Sequence, residues 1–367
     1  MLLLFVFSLF FVPKFFRLPN SWLAAAFLLL SMCFLKPLLT VLAGEINYSW
    51  VILPVSMIGL GISIATLYEG YFLPLLSLTL TFIIWIVPFD FKPQQKLYAD
   101  PLVGVWQTRQ GEIHEVRWKD RQWLYYNQRL TKASVDEHLY YEPLVHPMMH
   151  LISMDARVLL VGGENGACYR EISKYPLAQP VDILPLDVGY FKKFNPPSSS
   201  FNLITKTPFD HLSVIRNFYD AIIIDLPDPV SLELNQYYTF EFYALCHETL
   251  RSNGFIVTQA GSPYTLPAVY FAINETIDSA NFHVLNFHNQ VPTLGQWGWV
   301  MGSKSVNSES LKKKLAVLEP TVPTKWWTRE AMNMMLSFGK NSYFYEKQAS
   351  INAISNPILP QLFTSMP

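Results

Sequence analysis

Before Asp90 the chain is almost continuously apolar, with Lys14, Arg17, Lys36, Glu45 and Glu69 as its only charged residues. Trp22–Leu42, Trp50–Tyr68 and Tyr71–Pro88 each approach the ~20 apolar residues that cross a bilayer, and aromatic residues lie near their ends. They predict three transmembrane helices. Met1–Phe16 leaves a fourth open. Lys14 and Arg17 pull the first loop to the cytoplasm, which conflicts with a cytoplasmic location for the polar remainder of the chain if that fourth span exists. Glu69-Gly70 leaves room only for a tight hairpin between the last two spans.

After a linker over Phe91–Asp100 the pattern changes. Glu112–Trp118 and Gln122–Asn127 alternate and predict a β-hairpin around Lys119-Asp120-Arg121. Glu137–Ile152 has helical spacing. Short apolar runs then alternate with helical stretches. Strands are expected at Val158–Val161, Val181–Leu186, Phe201–Ile204, Ala221–Asp225, Gly254–Gln259 and Phe282–Phe287. Helices are expected at Ala167–Tyr175, Phe240–Arg251 (capped by Thr239) and Pro267–Ala280. Trp297–Gly302 suits an antiparallel edge strand. Helices around Lys312-Lys313-Lys314 and Arg329–Phe338 follow.

This order predicts an α/β, Rossmann-like doubly wound sheet of the methyltransferase-like kind, with a small N-terminal β-hairpin region and preceding transmembrane helices. The expected regions are 1–90 (membrane helices), 91–152 (linker, hairpin region and first helix), 153–303 (catalytic domain) and 304–367 (C-terminal helices and tail). Composition adds little beyond this. Net charge is −1, which offers nothing to nucleic acid. Cys33, Cys168 and Cys246 form no C-x-x-C pair, so neither a disulfide framework nor a zinc site is expected. His283 and His288 have no ligand-like partners nearby, and His146 before Pro147 reads as a packed structural histidine.

Two strand ends carry the chemistry. Val158–Val161 runs into Gly162, Gly163, Glu164, Asn165 and Gly166, a turn whose glycines allow close backbone approach at a helix start. Ala221–Asp225 ends in Asp225 and Asp228, two acids three residues apart with prolines stiffening the exit. Such acids sit at the carboxyl edge of a parallel sheet, where ligands bind, and their proximity pushes one pKa up. Asp136, Glu137 and Glu142 add negative potential that attracts cations, or serve as helix-start acids.

Taken together these stretches resemble the polyamine aminopropyltransferase (spermidine synthase) family, and within it the bacterial subgroup with an N-terminal membrane domain. Asp136–Pro147 resembles the family's DE-x-x-YHE-x-x-x-HP helix, Val158–Glu171 its VLVIGGGDGGxxRE turn, and Asp225–Pro229 its D-S/L-x-DP strand. Glu241–Tyr243, Gln259–Tyr264 and Gly295–Val300 follow in order, so the resemblance spans residues of about 110–340. It implies that an amine displaces methylthioadenosine from decarboxylated S-adenosylmethionine, a co-substrate, with no prosthetic group and no metal. It assigns Asp225 as base, Asp228 as holder of the far ammonium and Tyr140 to the amine channel. Tyr264 and Glu142 are assigned to the amine substrate. Gly162, Gly163, Glu164, Asn165, Gly166 and Asp187 are assigned to the donor. The implied partners are a di- or polyamine and the lipid bilayer, while homo-oligomerisation is open. The expected location is the inner (cytoplasmic) membrane, multi-pass, with the catalytic domain in the cytoplasm.

The chain departs from the family pattern around the donor. His114 and Thr131 stand where the family has glutamines, Tyr141 where it has histidine, and Asn165 where it has aspartate. Pro185 stands at the ribose-holding acid, with Asp187 two residues on. Thr207 stands near the adenine-reading aspartate, with Asp210 close by. Each change removes a polar contact, of the order of 1–3 kcal/mol where a charged group is involved. Three readings stay open: a transferase with Asp187, Asp210 or Glu164 as substitute acids; a transferase with another donor or amine; and a catalytically divergent, membrane-tethered polyamine- or nucleoside-binding protein. A methyltransferase shares the sheet, but Asp-Leu-Pro-Asp-Pro does not match its strand end.

Overall fold

The computed structural model describes residue 95 and residues 97–195, 200–340 and 349–364. The expected membrane spans before Asp90 lie outside these residues. Among the described residues no helix is long and apolar enough to cross a membrane. Apart from Leu102, the elements below belong to the unit Val103–Pro367.

Four strands, β1 (Leu102–Gln107), β2 (Glu112–Trp118), β3 (Arg121–Tyr126) and β4 (Arg129–Ala133), form one antiparallel sheet in sequential order. The hairpin expected from the sequence is its centre. The flanking strands escaped notice because β4, Arg-Leu-Thr-Lys-Ala, shows no alternation of apolar and polar positions. The register of β3 on β4 explains why. Leu124 pairs with Lys132 and Tyr125 with Leu130, so Thr131 is bulged out of the ladder. A bulge breaks the period of two.

Helix α1 (His138–Met149) leads into the second sheet. Strands β5 (Val158–Gly162), β6 (Val181–Leu184), β7 (Phe201–Leu203), β8 (Tyr219–Asp225), β9 (Leu250–Gly261), β10 (His283–Val291) and β11 (Gly295–Ser303) are ordered β10-β11-β9-β8-β5-β6-β7. The five strands from β9 to β7 are parallel, and β11 and β10 form the antiparallel edge. This is the doubly wound, Rossmann-like sheet expected from the alternation. β6 is shorter than the apolar pattern suggested, and Pro185, which follows it, has no N–H to extend the ladder.

Both faces of the sheet are covered, so its strands read as unbroken apolar runs. Val158, Leu160, Ala221 and Ile223 point into one core, with α1 and α2 (Ala167–Ile172). Leu159, Val161, Ile222 and Ile224 point into the other. That second core includes residues of α6 (Phe240–Thr249) and α7 (Pro267–Ser279). Short helices α3 (Val188–Phe194), α4 (Pro208–Ser213) and α5 (Leu232–Asn235) sit in the strand connections, each started by a side-chain cap. Asp187, Thr207 and Ser231 are those caps, and Thr239 caps α6 as its sequence predicted. Helices α8 (Ser308–Leu315), α9 (Arg329–Met335) and α10 (Ile358–Thr364) complete the chain.

Glu142 is where the structure corrects the sequence reading. Its side chain is fully buried on α1 and is not among the residues that line the cleft at the sheet edge. The carboxylate accepts the backbone N–H groups of Lys325, Trp326 and Trp327 at 2.7, 2.9 and 2.8 Å. It ties the C-terminal segment to α1 and is not a substrate ligand. Three hydrogen bonds to one charged group make a strong tie. Glu142→Gln keeps the shape but turns one acceptor into a donor facing an N–H. We expect it to lower unfolding stability by about 2–4 kcal/mol in denaturant titration; a loss below ~0.5 kcal/mol would contradict this role.

Candidate active site

The site begins where β5 and β8 end side by side. Gly162 is in register with Asp225, and the N–H of Gly163 donates to the carbonyl of Asp225 at 3.0 Å. Gly162 has φ +84°, and a Cβ there would stand 2.2 Å from that carbonyl oxygen. Only glycine allows the turn to leave β5 this close to the acid strand. Gly163 and Gly166 are also left-handed, at φ +69° and +75°. The three glycines shape the turn, and Glu164 and Asn165 are the residues it presents to the cleft.

A cleft open to solvent lies over these strand ends. Its floor is Asp225, Leu226, Pro227 and Asp228, and its roof comes from the four-stranded sheet through Ile113, Leu124, Tyr126, Thr131 and Lys132. Tyr140, Gln259 and Trp297 line one side, with Glu164 and Asp187 also in its wall. Strict alternation along β4 cannot put both Thr131 and Lys132 into one cleft. The bulge at Thr131 does so.

Asp225 is 4% exposed. Its Oδ1 accepts from Lys132 Nζ at 2.7 Å and from the Tyr140 hydroxyl at 3.3 Å. Burial, then the charge of Asp225, hold the Tyr140 hydroxyl well above the usual tyrosine range, so it stays a donor. Asp228 is half-buried and accepts from Gln259 Nε2 at 3.3 Å. Gln259 is itself fixed by the Tyr238 hydroxyl at 2.7 Å and by the N–H of Gly261 at 2.9 Å. Burial pushes the Asp228 carboxyl above the usual aspartate range, and Arg129, Gln259 and Lys132 act against it. A second recess, lined by Arg129, Ser262, Thr265 and Thr293, shares Asp228 and Trp297 with the cleft. Asp228 therefore stands between the cleft and this recess.

On the other side, Glu164 accepts the N–H of Leu186 at 2.7 Å. Burial pushes its carboxyl up to about 7. Asp187 caps α3 by accepting from Tyr190 N at 2.7 Å, and it lines both this cleft and an adjoining one that reaches Pro185, Thr207 and Tyr237. Asn165 Nδ2 donates to the Tyr141 hydroxyl at 3.0 Å. Of the three substitute acids weighed from the sequence, Glu164 and Asp187 reach the cleft. Asp210 does not: it is exposed and its backbone is capped by Thr207.

One further expectation needs correction. Tyr264 is 46% exposed, with its ring 5.4 Å from that of His288, and it is outside the cleft lining. The strand β9 ends before it, and the turn carries its ring outward. His114 is buried and paired with Glu112, while its neighbour Ile113 faces the cleft. Among the described residues Glu142, His146 and Glu171 are close enough to share a cation. Glu142 is committed to backbone N–H groups, Glu171 pairs with Lys174, and His146 meets the Tyr175 hydroxyl at 2.8 Å, so the trio reads as packing. Lys132, Gln259 and Trp297 are among the cleft residues to which the sequence reading gave no role. The only signal for Lys132 was a lysine in a strand that could not be recognised as one.

Residues 137–314 match the family described as spermine/spermidine synthase domain. The chain is 31% identical over 287 residues to a polyamine aminopropyltransferase of Oceanobacillus iheyensis, covering 74% of this chain and 55% of that protein. It is 32% identical over 265 residues to polyamine aminopropyltransferase 2 of Bacillus cereus, covering 69% and 70%. The chain thus spans about half the length of the first curated relatives it matches, at 55%, 54% and 52%. The spermidine synthase of Thermotoga maritima has the same fold, with a TM-score of 0.60 at 18% identity over 67% of this chain and 88% of that one. A spermidine synthase in complex with the transition-state analogue AdoDATO gives 0.59 at 17% identity, over 67% and 87%. On the match to the family's domain and these identities, the chain belongs to the spermine/spermidine synthase family of polyamine aminopropyltransferases.

Proposed function

We propose that the protein is a membrane-anchored aminopropyltransferase that moves the aminopropyl group of decarboxylated S-adenosylmethionine to a di- or polyamine. The observation that carries this reading is the convergence of Asp225, Asp228, Tyr140 and Gln259 on one cleft at the carboxyl edge of the sheet, with Glu164 and Asp187 in the same wall. The names of the relatives agree with it.

The chemistry follows from the arrangement. A primary amine is an ammonium at neutral pH and has no lone pair to give. Asp225, buried at the cleft floor, takes the proton. The freed nitrogen forms a bond to the aminopropyl carbon as the carbon–sulfur bond breaks, and the electron pair stays on the sulfur of methylthioadenosine. Tyr140 steadies the carboxylate of Asp225 throughout. Asp228, held by Gln259, takes the far ammonium of a diamine. Most of the rate comes from aligning nitrogen, carbon and sulfur.

The donor lies toward Glu164 and Asp187, which stand in for the acids lost at Pro185 and Asn165. A cationic sulfonium and its ammonium arm both favour ionised acids there. The apolar stretch before Asp90 supports a multi-pass anchor in the cytoplasmic membrane with the catalytic part on the cytoplasmic side. The catalytically divergent binding protein is the other reading. One observation favours it, the lysine already paired with Asp225.

Asp225→Asn keeps the shape and removes the base. In a methylthioadenosine-release assay it is expected to lower kcat by about 10²–10⁴-fold, with folding intact; wild-type turnover in this variant would sink the mechanism. Glu164 gives a pH signature. Between about 4.5 and about 7 the folded protein holds a proton on Glu164 that the unfolded chain has released. Stability from this group therefore falls as pH rises through that window. Glu164→Gln is expected to exceed wild type by about 1–3 kcal/mol at pH 8 and by much less at pH 5 in unfolding titrations; a difference that does not change with pH contradicts the assignment. The anchor predicts that the full chain sediments with membranes and resists alkaline carbonate, whereas release by carbonate excludes spans.

A further inference from the structure

Lys132 lines the cleft, and the mechanism has no use for its charge. It leaves β4 next to the bulge, and its side chain is only 18% exposed. Its ammonium lies 2.7 Å from Asp225 Oδ1. It also lies 3.6 Å from the centre of the Tyr140 ring and 4.7 Å from that of Tyr141. A carboxylate oxygen plus two aromatic faces is how proteins hold an alkylammonium ligand. The lysine therefore makes, from inside the chain, the contacts that an acceptor ammonium needs beside the base.

The two compete for the same carboxylate oxygen. Asp225 Oδ1 already accepts from Lys132 and from Tyr140. A second ammonium brought to this point also meets like-charge repulsion. We infer that Lys132 is a specificity-determining residue: a tethered ammonium that fills the near-amine position of the acceptor subsite and must be displaced before Asp225 can take a proton from the substrate. This rests on the aminopropyltransferase reading of the same cleft.

Displacement has somewhere to go. Glu164 and Asp228 both lie close enough to feel the charge of Lys132, so the ammonium can leave Asp225 without losing all acidic company. It also sets a preference. Binding at the near end is weakened by the fraction of time the lysine is in place. At the far end Asp228 is hydrogen-bonded to the neutral Gln259, with Arg129 acting on it from the adjoining recess. Acceptors with a second cationic group are favoured over monoamines, because the far ammonium supplies the binding that the near one lacks.

The test compares the full-length protein in detergent with Lys132→Met and Lys132→Arg. Putrescine binding is read by calorimetry and methylthioadenosine formation by mass spectrometry on the same samples. Methionine fills the same space without charge, and arginine keeps a cation there. We expect Lys132→Met to bind putrescine about tenfold tighter or more, and to narrow the gap between putrescine and a monoamine such as butylamine. Lys132→Arg should bind no tighter than wild type. Equal or weaker putrescine binding by Lys132→Met, with a wild-type melting temperature, overturns the inference. If Lys132→Met melts early, Lys132→Gln replaces it under the same criterion. Tighter binding without methylthioadenosine from any variant keeps the internal ammonium and removes the transferase reading. Unchanged binding alongside turnover that needs Asp225 removes the internal ammonium and keeps the transferase.

Discussion

The site depends on one close approach, that of the Gly162–Gly163 turn to the carbonyl of Asp225. Backbone touches backbone there: Gly163 N–H meets Asp225 O at 3.0 Å, and no side chain fits at Gly162. Because β5 and β8 are neighbours in parallel register, the donor-side turn and the acid strand end at the same level. Everything else in the cleft is arranged around that shared edge. Gln259 reaches it from β9, Tyr140 from α1, and the small sheet closes over it with Lys132. A shift of one residue between β5 and β8 would reverse which side chains face the cores and take Asp225 out of the cleft.

The electrostatics divide the cleft into two halves. Asp225 and Asp228 lie in one half, which the proposed function gives to the acceptor, and Glu164 and Asp187 in the other, which it gives to the donor. In the family pattern the donor's polar partners sit elsewhere, at the positions now held by Pro185, Asn165 and Thr131. On the proposed reading Glu164 and Asp187 serve in their place. Glu164 takes a glycine's place in the turn, and its burial makes its charge sensitive to pH near neutrality. Lys132 enters the same space beside Thr131. Changes in charge at these neighbouring positions are coupled through the same small volume, which is why single substitutions here are not expected to add.

Much of the fold was legible because its signals are long and redundant. Apolar runs such as Val158–Val161 and Ala221–Asp225 can only be buried strands, and their alternation with helical stretches allows few topologies. The acid pair and the glycine turn were legible for the same reason: each sits at the end of an unmistakable strand. The small sheet was half legible. Strand β4 hides its pairing behind a bulge, and with it the lysine that reaches Asp225. Glu142 and Tyr264 show the opposite limit. Both lie in stretches that match the family, yet one is bound to backbone N–H groups of Lys325–Trp327, nearly two hundred residues away in sequence, and the other is turned outward. A motif fixes where a residue is in the chain, while its neighbours in space fix what it does.

The central claim is that the cleft transfers an aminopropyl group. The most direct test is a single-turnover reaction of the full-length protein with decarboxylated S-adenosylmethionine and a diamine, followed by mass spectrometry of both products. Methylthioadenosine and the aminopropylated amine are expected in equal amounts, each requiring both substrates. Bound amine with neither product, at enzyme concentrations above those of the substrates, would contradict it and leave a binding protein in its place.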